Sequence, residues 1–485
     1  MKFGVFTVCC IRTITLPIFF EVFMELYGIK IPAFDAPELD GGFLPAIRFN
    51  RAYLADAKKT VAVAVERSRN QLAVYESRIY GTPSFLEADA FYVERLVKTL
   101  LWMKGGFRVT VYGDEAVYEA VKTAYSDTGA RAFDKKFMER VYERPFEVLY
   151  GGGYDARPKA NEQSEPLGGH LDGCRIGFDA GGSDRKVSAV IDGETVFSEE
   201  VVWHPKTQSD PQYHFDGIVA AFRAAAKHMP RVDAIGVSSA GVYVDNRTMV
   251  ASLFLKVPED AFEKHVKDIY VRAAKQIGNV PLVVANDGDV TALAGSMGLN
   301  ASGVLGIAMG TSEAAGFIDQ QGNVTGWLNE LAFAPVDFQK NAPEDEWSGD
   351  FGCGVKYFSQ DAVNRLAPLA GIPLEEGLSP ADKLKYVQAL MEDGDARAAR
   401  VYRTIGCYLG HTLAHYHALY ACSYVLLLGR VMSGKGGELL LSTAKEVLKK
   451  DYPELTGKLT VELPDEKARR VGQSVAAASL PKAAK

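Results

Sequence analysis

The chain has 485 residues, of which 47% are apolar and 24% are charged, a composition typical of globular proteins. This length is enough for roughly two or three domains, each with its own core. The formal net charge of −7 argues against a nucleic acid as the main partner, because proteins that bind phosphate backbones are usually basic.

The first residues imitate a secretory signal peptide, because the apolar residues 3–20 follow a lysine. Arg12 interrupts this stretch, glutamates follow it, and a small-residue cleavage site is not evident. We therefore predict a buried strand over residues 3–9, a helix that begins near Thr15, and no membrane partner. The six cysteines form no Cys-x-x-Cys pair, which favours reduced thiols and a cytoplasmic location.

Residues 1–150 have the pattern of a separate N-terminal α/β domain, but they contain no catalytic motif and their role stays open. We predict helices over residues 51–76, 87–103, 116–125 and 135–142, and strands over residues 107–112 and 146–150. Residues 151–172 are rich in glycine, proline and polar residues without periodicity, and we predict a linker there.

Strands alternate with helices after the linker, and the first motif of this part lies in residues 176–183. It predicts a strand, a tight turn at Gly181 and Gly182, and a second strand over residues 187–191. A turn without side chains lets main-chain N–H groups face an anion, and Asp179 at the strand end can hold a metal or its water. By itself, such a segment is most often an ordinary hairpin turn.

A second glycine-rich turn of the same build, in residues 310–316, follows a predicted strand over residues 304–309. Between the two turns, a predicted strand over residues 281–285 runs into Asn286 and Asp287, which begin a helix of small residues. Asn-Asp is also a common helix cap, but its position between two such turns favours chemistry. The repeated turn suggests two related halves.

Five sequence blocks, in this order, resemble the ROK family of bacterial sugar kinases and repressors in the actin-like ATPase superfamily. The blocks are residues 176–193, 285–295, 306–316, 406–415, and 425–429 with 434–437. Each block alone occurs in many unrelated proteins, but the occurrence of all five in this order over residues 175–485 supports the resemblance to the family. The resemblance implies a duplicated actin-like/ribonuclease H-like ATPase core, with one lobe over residues 173–295 and a second lobe with an adenosine loop over residues 296–485.

The resemblance also implies ATP-dependent phosphotransfer to a hydroxyl of a sugar or sugar-like small molecule. Asp287 would be the catalytic base, and Asp179 would hold Mg²⁺ through water. The residues implied to bind the acceptor are Asn286, Glu330, Ser239 and Gly241. The residues implied to bind ATP are Asp179, Gly181, Gly182, Ser183, Lys186, Gly310, Thr311, Ser312, Gly429, Gly434, Gly436 and Gly437. Relatives often pair through this core, which implies a homodimer.

The sequence departs from the family at the acceptor and zinc positions. Phe333 stands in place of a histidine that contacts zinc and sugar, and Val355 stands in place of a glutamate. Cys353 is the zinc cysteine that remains, and one thiolate cannot make a tetrahedral zinc site, so we predict no structural zinc. Phe333 and Trp327 either pack on a less polar acceptor or fill the former zinc region, and we favour filling.

Two other functions stay open because the acceptor positions have diverged. One is a non-catalytic sugar or nucleotide sensor, although residues 1–150 lack the helix-turn-helix of the family's repressors. The other is an ATPase that drives a partner through its N-terminal domain. His411 and His415 share a helix face and could bind a metal, although core histidines are more common there.

Overall fold

The computed structural model describes residues 24–68, 70–162, 167–464 and 472–483. The strand predicted over residues 3–9 and the helix near Thr15 lie outside these ranges. Within the ranges, the strands form three sheets of four or five strands and two short hairpins. In the same part of the chain, no helix combines the length and the apolar character that crossing a membrane requires.

The N-terminal region carries a sheet of its own. Its elements are β1 (Met24–Leu26), β2 (Ile29–Ile31), α1 (Ala46–Asp56), β3 (Lys59–Arg67), β4 (Gln71–Ile79), α2 (Leu86–Lys104), β5 (Arg108–Tyr112), α3 (Glu115–Ala124), α4 (Ala132–Tyr142) and β6 (Glu147–Tyr150). The sheet has the order β4-β3-β5-β6, in which β5 and β6 are parallel and the other neighbours are antiparallel.

The prediction of one helix over residues 51–76 is wrong. A helix ends at Asp56, and the chain continues as the hairpin of β3 and β4. Val61, Val63 and Val65 are buried in β3, and their β-branched side chains favour a strand. The alanines and charged residues between them suit either structure, so packing against β5 decides it.

The first lobe is built around a five-stranded sheet. Its elements are β7 (Cys174–Ala180), β8 (Asp184–Ile191), β9 (Glu194–Val202), α5 (Pro211–Ala226), β10 (Ala234–Ser239), β11 (Val242–Val244), β12 (Arg247–Val250), α6 (Glu259–Ala261), α7 (Ile269–Lys275) and β13 (Leu282–Asn286). The sheet has the order β9-β8-β7-β10-β13. The first three strands form an antiparallel meander, and β10 and β13 run parallel to β7.

The second lobe repeats this topology with one strand fewer. Helix α8 (Asp287–Leu299) follows β13 directly and connects the two lobes. The elements of the second lobe are β14 (Val304–Met309), β15 (Glu313–Ile318), α9 (Gln360–Leu369), α10 (Pro380–Glu392), α11 (Ala396–Tyr420), β16 (Tyr424–Leu428), α12 (Gly434–Asp451), β17 (Thr460–Glu462) and α13 (Gln473–Ala478). The sheet order β15-β14-β16-β17 corresponds to β8-β7-β10-β13, with the same strand directions. The two predicted halves are therefore related.

The last helix, α13, returns to the first lobe and packs directly on its sheet. A Cβ atom at Gly177 in β7 would overlap the carbonyl oxygen of Ser474, and one at Gly236 in β10 would overlap that of Ala477. The helix can approach this closely because neither strand carries a side chain at the contact. Its first residue, Gln473, consequently lies near the carboxyl ends of the strands.

Most buried side chains of the N-terminal region and the second lobe form one continuous cluster, which also takes in Val242 and Met249, whereas most of the first lobe has a cluster of its own. The ring centroids of Phe43 and Tyr408 are 4.6 Å apart, and those of Phe49 and Phe338 are 5.6 Å apart. The N-terminal region is thus packed against the second lobe.

Candidate functional site

The carboxyl ends of β7, β10 and β13 lie side by side and carry three of the predicted residues. In register, Asp179 lies beside Ser238, and Ser239 lies beside Asn286. Ser238 Oγ donates a hydrogen bond to Asp179 Oδ1 at 3.0 Å. Burial raises the pKa of Asp179 to about 6, against the lowering effect of that hydrogen bond, and the charge of Asp287 raises it further.

Asp287 begins helix α8, and Asn286 is the N-cap of that helix. Asn286 Oδ1 accepts a hydrogen bond from the Gly288 amide at 2.7 Å, and Nδ2 donates to the Gly241 carbonyl at 2.7 Å. The amide of Asn286 therefore fixes the loop that presents Asp287. Burial raises the pKa of Asp287, partly offset by hydrogen bonds from main-chain amides and by the charge of Lys206, and a raised pKa makes a carboxylate a better base.

The start of α8 also touches the second hairpin. A Cβ atom at Gly316 in β15 would overlap the main chain of Gly288, and one at Gly288 would overlap the carbonyl oxygen of Ala315. This contact between two glycines brings Asp287 to the junction of the two lobes.

Both predicted glycine hairpins are present, with turns at residues 181–183 and 310–312. In the first turn, a Cβ atom at Gly181 would lie 2.7 Å from the carbonyl oxygen of Asp184, so a larger residue would crowd the turn. In the second, the Gly310 amide donates to the Ser312 carbonyl at 3.0 Å. Gly429 follows β16 with a φ of 94° and packs on the end of β14, so the predicted adenosine loop adjoins the second turn.

The other residues that the family resemblance implies for ATP binding lie in different surroundings. Gly182, Ser183, Thr311 and Ser312 are exposed in the two turns. Lys186 lies opposite Asp179 in the register of β7 and β8 and forms an ion pair of 3.4 Å with Glu200. The three glycines at the start of α12 pack against protein atoms: Gly434 against Glu392, Gly436 against the ring of Tyr402, and Gly437 against the carbonyl of Met432.

On the acceptor side, two further carboxyls lie near Asp287. Burial raises the pKa of Glu330 to about 7, and the charges of Asp287 and Asp289 act in the same direction. Burial also raises the pKa of Asp289 to about 7, although Asp289 accepts hydrogen bonds from the Phe317 amide and from Asn329 Nδ2. Ser239 contributes less, because its buried hydroxyl is bonded to two tyrosine hydroxyls.

Glu313 is a buried carboxyl of this site that the sequence analysis missed. It is 2% exposed, and its Oε2 has no hydrogen-bond partner among the described residues. Burial raises its pKa to about 8; the hydroxyl of Tyr416 lowers the pKa, and the charge of Glu330 raises it. Gly354 leaves room for this carboxyl, because a Cβ atom there would overlap Oε2. Glu313 lies within the second glycine-rich turn, residues 310–316, and nothing in that motif distinguishes it as a buried acidic group.

Lys206 is a second residue that the sequence analysis missed. Its side chain is exposed, and a Cβ atom at Gly182 would lie 3.1 Å from Lys206 Nζ. Trp203 holds this segment to the first turn, because its indole Nε1 donates to the Gly181 carbonyl at 2.8 Å and its amide donates to the Ser183 carbonyl at 3.0 Å. No carboxylate in the described ranges forms an ion pair with Lys206. The segment has no motif that would have revealed this cation.

A cavity of about 300 Å³ lies beside the acceptor residues. Asn286 and Gly241 line it from the first lobe, and Arg67 and Tyr142 line it from the N-terminal region. Residues 324–328 of the second lobe complete the wall. The N-terminal region therefore borders the space next to the candidate acceptor site.

Phe333 and Trp327 both pack against protein rings. The Phe333 centroid is 4.3 Å from that of Trp102, and the Trp327 centroid is 5.6 Å from that of Phe317. The ammonium of Lys104 lies 4.2 Å from the Trp327 centroid. These contacts support the interpretation that the two side chains fill the region.

The histidines of α11 lie in the interior. His411 Nε2 is 2.8 Å from the Asp35 carbonyl oxygen, and Nδ1 is 2.6 Å from the Tyr452 hydroxyl. Burial lowers the pKa of His411 and of His415 to about 4 in each case. Within the described ranges, no group of three or more histidine, cysteine, aspartate and glutamate side chains could hold a metal ion. The contacts of His411 are those of a core histidine.

The C-terminal helix completes the site. Gln473 Nε2 donates to Ser238 Oγ at 3.0 Å and to the main-chain oxygen of Asp287 at 3.1 Å. This side chain was also missed, because nothing in the local sequence connects residue 473 with residues that lie so far away along the chain.

Several solved structures resemble this one. The ROK hexokinase from Thermus thermophilus has 19% identity and a TM-score of 0.48, and the match covers 63% of this chain and 97% of that chain. A ROK family glucokinase from Streptomyces griseus, solved with glucose and AMPPNP, has 22% identity and a TM-score of 0.44, with 63% and 98% covered. A ROK family transcriptional regulator, a homolog of the E. coli MLC protein, has 20% identity and a TM-score of 0.48, with 67% and 82% covered.

Curated proteins provide no match to the chain. The sequence model of the ROK family matches residues 175–468, which begin at β7 and include the strands of both lobes. Because this match covers more than half of a chain with two topologically related lobes, the protein belongs to the ROK family and has its actin-like ATPase core.

Proposed function

We propose that the protein transfers the terminal phosphoryl group of ATP to a hydroxyl of a sugar or sugar-like small molecule, with Asp287 as the general base. One observation carries this proposal: Asp287 lies at the junction of the lobes, next to Asp179 and against the hairpin of the second lobe. Phosphoryl transfer requires positioning and neutralisation of charge, and little covalent chemistry from the protein. Membership of a family that includes sugar kinases supports a sugar-like acceptor.

The residues of the two turns fit a triphosphate. Main-chain N–H groups at residues 181–183 and at residues 311 and 312 would bind its oxygens, and Lys206 would add a positive charge beside the first turn. Asp179 has a pKa raised by burial next to Asp287, as expected of a carboxylate whose counterion is a ligand of the working enzyme. A bound Mg²⁺, held by Asp179 through water, would neutralise charge on the phosphates.

Asp287 would accept the proton of the attacking hydroxyl. Glu330 lies close enough to Asp287 for the charge of Asp287 to raise the pKa of Glu330. Glu330 would therefore bind a neighbouring hydroxyl of the same acceptor. Asn286 would act mainly by fixing the loop, because both ends of its amide are already hydrogen-bonded within the protein. Closure of the two lobes would exclude water, which is the competing acceptor.

The proposal is tested by ADP release from the full chain with ATP, Mg²⁺ and a panel of hexoses, N-acetylated hexosamines and polyols. We expect at least one sugar to stimulate ADP release, and the sugar product to carry the phosphate. Binding of a non-hydrolysable ATP analogue, measured by calorimetry, is the parallel control.

A non-catalytic sensor is the second candidate, and the packing of the partly buried Phe333 against Trp102 at a diverged acceptor position favours it. It predicts binding of the ATP analogue without stimulation by any sugar. ADP release that needs no small acceptor would instead support an ATPase coupled to a partner.

A further inference from the structure

We propose that the N-terminal region acts as a clamp on the acceptor loop, which we define as residues 326–337, and that Trp102 and Lys98 of α2 are positioning residues for Glu330. The proposal rests on the proposed function in one respect, namely that Glu330 contacts the acceptor. It assigns a role to the part of the chain that lies before the family match, which begins at residue 175.

The first contact is between main chains. The amides of Asn329 and Glu330 donate to the carbonyl oxygens of Met103 and Trp102, each at 2.9 Å. These carbonyls belong to the last turn of α2, which ends at Lys104, and the last four carbonyls of a helix have no partner inside it. The acceptor loop therefore supplies the missing donors at the end of α2. In return, α2 fixes the position of the main chain at Glu330.

Asn329 is held from three sides at the same point. Its φ is 51°, a left-handed conformation that costs a non-glycine residue free energy and needs support from its surroundings. Its Nδ2 donates to Asp289 Oδ1 at 2.9 Å, and its Oδ1 accepts from the Tyr420 hydroxyl at 3.0 Å. The contact with α2 thus passes directly to α8, the helix that carries Asp287.

The second contact is aromatic. The ring of Phe333, three residues after Glu330, packs on the fully buried ring of Trp102 and is flanked by Phe133 and Phe137 of α4. Trp102 Nε1 donates to Asp134 Oδ1 at 2.9 Å, which fixes the orientation of the indole. Since such ring pairs bury large areas in a defined geometry, they restrict the loop on the side that faces α2 and α4.

The third contact is a buried ion cluster around Asp350, a residue that is 2% exposed. Its carboxylate forms ion pairs with Arg95 at 2.8 Å, with Lys98 at 3.0 Å and with Arg131 at 2.7 Å. Lys98 also pairs with Asp134 at 3.1 Å. A buried carboxylate without its cations is strongly unfavourable, so the segment around Asp350 stays attached to the N-terminal region.

The ion cluster reaches the acceptor loop through main-chain hydrogen bonds. Two residues after Asp350, the Gly352 carbonyl accepts from the amide of Val336 at 2.8 Å, and the Gly354 amide donates to the Ala334 carbonyl at 3.0 Å. Both Val336 and Ala334 belong to the acceptor loop. The acceptor loop is therefore held at three points. Main-chain hydrogen bonds join its start to the end of α2, the ring of Trp102 packs on its middle, and the segment after Asp350 is hydrogen-bonded near its end.

Two variants of the full chain test the clamp. Lys98→Met leaves Asp350 with two cations, Arg95 and Arg131, and leaves Asp134 with its hydrogen bond from Trp102. Phe333→Leu loosens the ring contact while it keeps an apolar side chain. Lys122→Met, at an exposed residue of α3, and Phe215→Leu, in the first lobe, are the matched controls. The readout is amide hydrogen exchange of the acceptor loop, compared with that of β3 and β5.

We expect both variants to raise exchange at Asn329 and Glu330 by about tenfold, with little change in β3 and β5 and none in the controls. Unchanged loop exchange in both variants would overturn the clamp. A rise of equal size in the loop and in the N-terminal sheet would also overturn it, because it would reflect general destabilisation.

Turnover gives a second, separate readout. In a wild-type protein that phosphorylates a sugar, the acceptor KM of both variants should rise by roughly threefold to tenfold while the ATP KM stays constant. An equal change in both KM values would count against a positioning role. Hydrogen exchange does not depend on turnover. If the protein had no kinase activity, the proposed function would be refuted, but the exchange rates would still test the clamp.

Discussion

Gln473 Nε2 donates a hydrogen bond of 3.1 Å to the main-chain oxygen of Asp287, across 186 positions of the chain. The same amide donates to Ser238 Oγ, which in turn donates to Asp179. The C-terminal helix α13 thus holds the two aspartates of the site, one through its main chain and the other through a serine. This support depends on glycines beneath the helix.

Gly236→Ala should therefore displace α13, because the new Cβ atom would overlap the Ala477 carbonyl oxygen. We expect the free energy of unfolding to fall by about 1–3 kcal/mol, as is usual for overpacking in a core, and turnover to fall with it. Urea denaturation measures the stability. Gly41→Ala is the matched control, since a Cβ atom there would meet nothing within 4 Å. Equal stability of the two variants would contradict this packing.

Asp287→Asn should abolish phosphotransfer, because an amide cannot accept the proton of the acceptor hydroxyl. Loss of a general base typically reduces turnover by about 10²- to 10⁴-fold. Calorimetry should find the affinity for a non-hydrolysable ATP analogue nearly unchanged. Asp260→Asn, at an exposed residue of α6, controls for the loss of one negative charge. Transfer at close to the wild-type rate in Asp287→Asn would remove Asp287 as the base.

Lys206→Met should reduce kcat more than it weakens ATP binding, because negative charge develops on the phosphate oxygens of the leaving ADP as its bond to the transferred group breaks. The expected loss is on the order of 10²-fold, as for other single donors that stabilise such charge. Lys206→Arg should restore part of the activity. Steady-state kinetics of both variants are compared with those of Lys227→Met, an exposed lysine at the end of α5. Full activity in Lys206→Met would exclude a role for this ammonium.

Glu313→Gln should make the stability of the protein less dependent on pH. The folded chain holds the proton of Glu313 up to a pKa of about 8, whereas in the unfolded chain the group titrates near 4.5. Stability from this group is therefore complete below pH 4.5 and is lost as the pH rises towards 8. The variant, which keeps an uncharged side chain, should equal the wild type at pH 5 and exceed it by about 2–4 kcal/mol at pH 8.

Thermal unfolding of both proteins between pH 5 and pH 8.5 checks the effect of Glu313, with the exposed Glu438→Gln as the charge-matched control. A constant difference between wild type and Glu313→Gln across that range would show that this carboxyl does not titrate in the folded protein.

The local sequence predicted the elements that carry the site well. Both glycine hairpins and the helix that begins at Asp287 are present where the sequence placed them, because glycine turns and capping residues act over a few positions. The same local reasoning failed at residues 51–76, where alanines and charged residues suit a helix. There the valines of β3 pair with β4 and β5, and this pairing outweighs the local preference.

Sequence alone determined the family, the duplicated core and the place of Asp287 between two glycine turns, because these features are encoded in short, ordered motifs. Only the tertiary structure decided which distant side chains surround Asp287. Lys206 reaches the first turn through Trp203, Glu313 is buried beneath Gly354, and Glu330 is set by α2. Such contacts arise when remote segments exclude water together, and no local pattern specifies which segments will meet.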